Sequence, residues 1–167
     1  MREDILKELR KITPEEQAIL NGSTDIDSSL YNLDASRIVD SNRLLERGKL
    51  IELRPHTRFI HFPAHTHNYV EVVYMCSGMT THLINQMPVT LRTGELLFLS
   101  QSAVQEILPA GENDIAVNFI ILPEFFDRTL SMIGAGNNLI RTFLVDCLRS
   151  RSGPIGYLHF KVSDILP

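Results

Sequence analysis

Apolar positions fall into three rhythms along the chain. In residues 1–57 they recur at helical spacing within short segments joined by polar loops, as in Ile5, Leu6, Leu9 and Ile12. Thr13-Pro14-Glu15-Glu16 reads as a capping box with proline at the first helical position. The helix it starts is expected to stop at Asn21-Gly22. Residues 23–36, rich in Ser, Asp and Asn, read as a loop, and Ser41 is placed to cap a third short helix ending at Gly48.

From residue 58 to residue 122 the rhythm changes to short apolar runs with turn signals every eight to twelve residues, the mark of an all-β barrel or sandwich. Strands are expected near Arg58–His61, Tyr69–Cys76, Thr80–Ile84, Val89–Arg92, Glu95–Leu99, Val104–Leu108 and Ile115–Leu122. Ser77-Gly78, Asn85-Gln86, Thr93-Gly94 and Pro109-Ala110-Gly111 supply the turns. Rolling the sheet up would hide the edges that such strands leave exposed.

Residues 123–150 return to helix. One helix is expected from Pro123, with Phe126, Leu130 and Ile133 on one face, broken at Gly134–Asn138. Asn138 is placed to cap a second, whose apolar stripe is Ile140, Leu144, Cys147 and Leu148, with Leu139 and Phe143 beside it. After a loop at Arg151–Gly156, Tyr157–Val162 alternates like another strand. The last residues, Asp164-Ile165-Leu166-Pro167, read as a cut within a longer protein.

Composition narrows the class. A length of 167 residues fits one domain with a modest appendage, able to bury a core without staples. With 44% hydrophobic and 22% charged residues the chain is an ordinary globular protein, which excludes collagen-like and disordered classes. No apolar run is long enough to span a membrane, and MREDILKELR lacks the apolar stretch of a signal peptide, so a cytoplasmic protein is expected. The two cysteines, Cys76 and Cys147, read as buried reduced thiols. A net charge of −4 leaves no basic footprint for holding nucleic acid. No Ser/His/Asp or Cys/His nucleophile pattern and no Gly-rich phosphate loop is visible.

Candidate chemistry concentrates in His65-Thr66-His67-Asn68-Tyr69-Val70-Glu71, followed by Gly78. On an extended strand, equal parity puts His65, His67, Tyr69, Glu71 and Val73 on one face. Two imidazoles and a carboxylate aimed together make three legs of a site for zinc, iron, nickel or manganese. Without a metal, the same groups with His82 and Gln105 offer donors, acceptors and an aromatic face to a small polar molecule, with a sugar as one guess. Arg54, His56, Arg58 and His61 form a basic cluster before the barrel, read as a solvated edge strand, with a lid or anion contact over the pocket as the alternative.

The pattern His-x-His-x3-Glu-x6-Gly in residues 65–78 resembles the first motif of the cupin family. The second motif survives as Gly94, while Ser100, Ser102 and Gln105 stand where the family has Pro, Gly and His. More narrowly, His61 to Pro109 is similar to the N-terminal sensing domain of AraC-type transcription regulators. That resemblance, over roughly residues 50–165, implies a mainly β, cupin-like double-stranded β-helix (a jelly-roll barrel). Short N-terminal helices and a C-terminal helix pair would flank it. With the residue pattern, which alone covers the first 50 positions, the expected organisation is a helical extension at 1–57, a cupin-like barrel at 58–122 and a helical dimerisation and linker segment with a short strand at 123–167.

The expected function is ligand sensing and dimerisation. A small effector would bind at His65, His67, Tyr69, Glu71, His82 and Gln105, and a homodimer would form through Ile140, Leu144, Cys147 and Leu148. DNA would be reached only through a C-terminal helix-turn-helix part outside this sequence. The second reading is a metal-dependent cupin enzyme, such as a dioxygenase or sugar isomerase, with metal on His65, His67 and Glu71. A barrel that only dimerises is the third.

Overall fold

A computed structural model describes residues 3–24, 26, 31, 37–126, 130, 139–148 and 156–161. Helix α1 (Glu3–Leu9) is followed by α2 (Pro14–Leu20). The α2 capping box forms as expected: Thr13 Oγ1 accepts from the Glu16 amide at 3.2 Å and Glu16 Oε2 accepts from the Thr13 amide at 2.9 Å. Strand β1 (Ile38–Val39) leads into the four-residue helix α3 (Ser41–Leu44). Its cap is Asp40, whose carboxylate accepts from the Asn42 amide, and not Ser41; the helix ends well before Gly48.

The strands are β2 (Ile51–Pro55), β3 (Phe62–His67), β4 (Val70–Ser77), β5 (Met79–Ile84), β6 (Met87–Arg92), β7 (Leu96–Leu99), β8 (Gln105–Ile107) and β9 (Ile115–Ile121). Helix α4 (Leu139–Leu148) and strand β10 (Tyr157–Phe160) complete the described elements. Two sequence expectations change here. Residues 51–55 are strand rather than helix or loop. Arg58–His61 is not a strand, because Phe59 takes φ +71° and turns the chain, its amide donating to the Ala110 carbonyl at 2.9 Å. Ile133, the break at Gly134–Asn138, the Asn138 cap, most of the Arg151–Gly156 loop and Val162 lie outside the described residues.

The strands form two five-stranded sheets, ordered β1-β3-β8-β5-β6 and β10-β7-β4-β9-β2. All pairings are antiparallel except β1 with β3. Chain direction reverses at tight turns: Asn85 and Gln86 both take positive φ, as a two-residue hairpin requires. At Gly78, φ is +73° and a Cβ would lie 2.2 Å from Asp114 Oδ1, so only glycine fits.

Alternation along β4 fixes which side chains turn inward. Val73 and Met75 pack with Ile84, Leu91, Leu97, Leu99 and Ala116, contributed by both sheets, so this cluster fills the space between them. Val70 and Val72 point the other way and pack under Phe143, Leu144 and Cys147 of α4. Further along the same outer face, Cys76, Ile115 and Val117 meet Leu6 and Leu9 of α1. Glu71 has the parity of Val73 and Met75 and therefore faces the interior.

Helix α2 is fastened to the barrel by a buried ion pair. Glu16 and Arg58 are 1% and 2% exposed. Glu16 accepts from Arg58 Nε at 2.6 Å and from a terminal guanidinium nitrogen at 2.9 Å. The remaining Arg58 donors go to the carbonyls of Arg10, Lys11 and Glu112. Burial works to raise the Glu16 pKa, but the bonds from Arg58 and the Thr13 amide hold it below the ordinary carboxylate value.

Candidate functional site

One end of the interior is polar. The strand carrying the His-x-His pattern does not run on to Glu71: the chain bends at Asn68 and Tyr69, passing from β3 in one sheet to β4 in the other. Parity survives the corner. His65 and His67 stand with ring centroids 4.9 Å apart, His67 and Tyr69 likewise, and His67 Nε2 lies 3.6 Å from Glu71 Oε2.

These four side chains line a cavity of about 50 Å³, together with Tyr31, Val39, Leu44, Arg54, Pro55, His56, Thr57, Phe62, Ile107, Asn118 and Ile120. Its apolar wall is the cluster of Val39, Leu44, Phe62, Tyr69, Ile107 and Ile120. Tyr31, Arg54 and Thr57 are half-buried and Pro55 is exposed, which places the mouth there. Tyr31 is held at that mouth by its hydroxyl, which donates to Glu15 at 2.8 Å beside the Thr57 hydroxyl.

Asn118 organises the polar wall. It sits on β9 between Ala116 and Ile120, both inward. Its Nδ2 donates to Glu71 Oε1 at 2.9 Å, so its Oδ1 is the atom facing His56 Nδ1, at 3.0 Å. That assigns the His56 proton to Nδ1 and leaves Nε2 as a lone pair. His56 Nε2, His67 Nδ1, Glu71 Oε2 and Gln105 Oε1 are buried with no hydrogen-bond partner among the described residues.

Gln105 and His82 lie behind the cavity and do not line it. Gln105 Nε2 donates to His82 Nδ1 at 2.8 Å, and His82 Nε2 is 3.1 Å from the Thr80 hydroxyl, which points at Met75 Sδ. His82 also stacks obliquely on His56 at 5.5 Å, which links this seam to the cavity wall. Sequence parity puts Thr80, His82 and Gln105 inside, and they are; it does not tell a cavity from the packed seam behind it.

Burial sets the charges. His65 is pushed down to about 4 by desolvation, against which the Pro63 carbonyl at 2.7 Å works in the other direction. His67 and His82 are driven well below the ordinary imidazole value by burial first and by neighbouring imidazoles second. His56 is lowered by burial, with Asn118 opposing. Glu71 is raised to about 7 by burial, with Gln105 and Asn118 opposing. Below neutral pH the His67–Glu71 contact therefore joins two largely uncharged groups rather than an ion pair.

The remaining sequence candidates separate. Of the basic cluster, Arg54 and His56 line the cavity, Arg58 is locked to Glu16, and His61 is on the surface at 2.8 Å from Glu106. Asn118, Thr57 and Tyr31 were not singled out from the sequence. The only signal for Asn118 is one polar residue at inward parity within Ile115–Ile121, an otherwise apolar run. On α4, Leu144 and Cys147 are buried inside this chain while Ile140 is 44% exposed; the Leu148 side chain lies outside the described set.

A cupin fold implies a divalent metal, and the donors here do not fit one. Among the described residues no group of three His, Cys, Asp or Glu converges on a common point. No helix among the described residues is long and apolar enough to cross a membrane.

No family model matches the chain and no curated protein sequence matches it. Similar solved structures include an apo variant of ToxT from Vibrio cholerae, at 14% identity and TM-score 0.49, covering 72% of this chain and 46% of that one. Wild-type ToxT with an unsaturated fatty acid bound matches at 14% identity and TM-score 0.47, covering 70% and 42%. A cupin protein from Bacteroides fragilis matches at 20% identity and TM-score 0.35, covering 44% and 66%. The chain thus spans less than half the length of the ToxT chains it matches. The two five-stranded sheets, antiparallel in every pairing but β1 with β3, make the fold a mainly β jelly roll.

Proposed function

We propose that this chain is the ligand-sensing domain of an AraC-type transcription regulator, with a small polar effector seated in the cavity between β3, β4 and β9. The observation that carries this is the set of His56 Nε2, His67 Nδ1 and Glu71 Oε2: buried, on the cavity wall, and without a partner among the described residues. Burying polar atoms unpaired costs about 1–3 kcal/mol each, a cost that a ligand's own polar groups remove. The His-x-His-x3-Glu resemblance supports the same reading. About 50 Å³ accommodates roughly four water-sized groups, which is small for a hexose.

An effector can regulate only by favouring one arrangement over another. Val39, Leu44 and Tyr31 bring the segment before β2 into the cavity wall, so a bound molecule touches that segment and both sheets at once. A coupling of about 1–3 kcal/mol through it is enough to matter. DNA contact belongs to a helix-turn-helix part outside this sequence, and the exposed Ile140 end of α4 is the proposed homodimer contact. The enzyme reading lacks a metal donor set among the described residues.

Imidazole nitrogen NMR of the full chain tests the proposal against a panel of acids, amides and polyols of up to about six non-hydrogen atoms. Saturable shifts at His56, His65 and His67, with His61 unmoved, are expected. A panel that moves none of the three overturns the cavity as an effector site.

A further inference from the structure

Among the described residues lining the cavity, Arg54 is the sole lysine or arginine. It sits opposite Asn118 on the β2–β9 pair, half-buried, with its guanidinium 5.8 Å from the centre of the Tyr31 ring. Four residues further along, Arg58 with Glu16 shows what a satisfied arginine looks like in this protein. Arg54 has no such carboxylate: no described acid lies at ion-pair distance, its strand neighbour Glu52 being paired with Lys49. Glu15 accepts from the Tyr31 and Thr57 hydroxyls through Oε2, and its Oε1 is buried without a partner among the described residues.

We infer that the cavity takes a short hydroxy carboxylate, its carboxylate on Arg54 at the mouth and its hydroxyl on the Nε2 lone pair of His56. This rests on the effector-site reading and names the chemical class. The guanidinium fork matches a carboxylate geometrically as well as in charge. His56 Nε2 is an acceptor, because Nδ1 carries the proton toward Asn118, so what is missing opposite it is a donor. A carboxylate cannot fill that place and a hydroxyl can. Residues 54 and 56 flank a single extended residue and share a face, about 6–7 Å apart at the backbone.

Orientation follows from Arg54, the sole lysine or arginine among the described lining residues, which stands at the mouth. A volume of about 50 Å³ leaves no room for a long chain. Glycolate and lactate are the smallest members of the class.

The test is the thermal midpoint of the full chain, titrated with sodium glycolate and lactate at constant ionic strength. Sodium acetate, which lacks the hydroxyl, and glycolamide, which lacks the charge, serve as comparisons. Saturable stabilisation by the hydroxy acids is expected, with acetate and glycolamide each about tenfold weaker. Arg54→Gln should weaken glycolate about tenfold without changing glycolamide, and Arg54→Lys should recover part of the loss. Glycolamide binding as tightly as glycolate, or full glycolate affinity in Arg54→Gln, overturns the anion site; equal binding of acetate overturns the hydroxyl contact. If other compounds move the His56, His65 and His67 signals while the hydroxy acids do not bind, this inference falls and the effector site stands. If nothing binds by either measurement, both fall.

Discussion

Leu97 and His65 are both buried between the same two sheets, yet the interior around them differs in kind. Around Leu97, nine side chains from both sheets close on one another: Val73, Met75, Ile84, Val89, Leu91, Leu97, Leu99, Ala103 and Ala116. Around His65, imidazoles, a carboxyl and an amide share a cavity with an apolar wall, and three of their polar atoms on that wall find no partner among the described residues. The apolar end gains from every contact it makes. The polar end gives up solvation that the protein alone does not restore. One end holds the barrel together and the other is held open by it, which is the division that a binding site needs.

The largest effect that probes this division comes from the anchor beside the polar end. Arg58→Ala would leave Glu16 buried and unpaired, at a cost of about 3–5 kcal/mol in chemical denaturation. At the apolar end, Leu97→Ala should cost about 3 kcal/mol and leave ligand affinity unchanged. Loss of binding in the Leu97 variant at full folding would mean that the two ends are not separable.

Glu71→Gln turns the comparison around, because at the polar end removing a charge should help. The folded pKa of about 7 stands above the ordinary 4.5, so the native state binds the extra proton between those values. The stability associated with that proton is complete below pH 4.5 and is lost as pH rises through 7. Glu71→Gln should therefore stabilise the protein by about 2–3 kcal/mol at pH 8 and change little at pH 4.5, read from denaturation midpoints at the two values. A gain of the same size at both would place the effect outside the titration.

His65 runs the opposite way. Its folded pKa of about 4 lies below the ordinary 6.5, so the unfolded chain takes up the proton first. Its stability is complete above pH 6.5 and is lost as pH falls toward 4. His65→Asn keeps a donor for the Pro63 carbonyl and should flatten the acid limb by about 1–2 kcal/mol at pH 5. An unchanged limb would assign the acid loss to His56, His67 and His82 instead, whose pKa values are also lowered by burial.

How much of this was legible in the sequence follows from the range over which each residue acts. Capping at Thr13-Pro14-Glu15-Glu16, the hairpin turns and the common face of His65, His67 and Glu71 depend on neighbours a few residues away, and spacing shows them. The corner at Asn68-Tyr69 was hidden because parity is preserved across it. Arg58 read as a solvated edge residue because its partner is 42 residues distant and already accounted for as part of a cap. His56 read as one of four basic residues, although its role comes from Asn118, another 62 residues along. His82 and Gln105 were legible as inward-facing but not as seam rather than wall, since that depends on how the sheets close over them.

The smallest predicted effect on stability is the one that separates structure from binding most cleanly. Arg54→Gln removes a half-buried charge with no ion-pair partner among the described residues, losing only its approach to the Tyr31 ring. Such a contact contributes about 0.5 kcal/mol at a partly exposed site, so the denaturation midpoint without ligand should hardly move. Arg58→Ala, four residues away, should come close to unfolding the protein. Two arginines on one segment would then differ tenfold in their effect on folding, because the partner of one is Glu16 and the partner of the other is not part of the described chain. A destabilisation of Arg54→Gln approaching that of Arg58→Ala would show that Arg54 holds the fold, and would leave the mouth of the cavity without its charged selector.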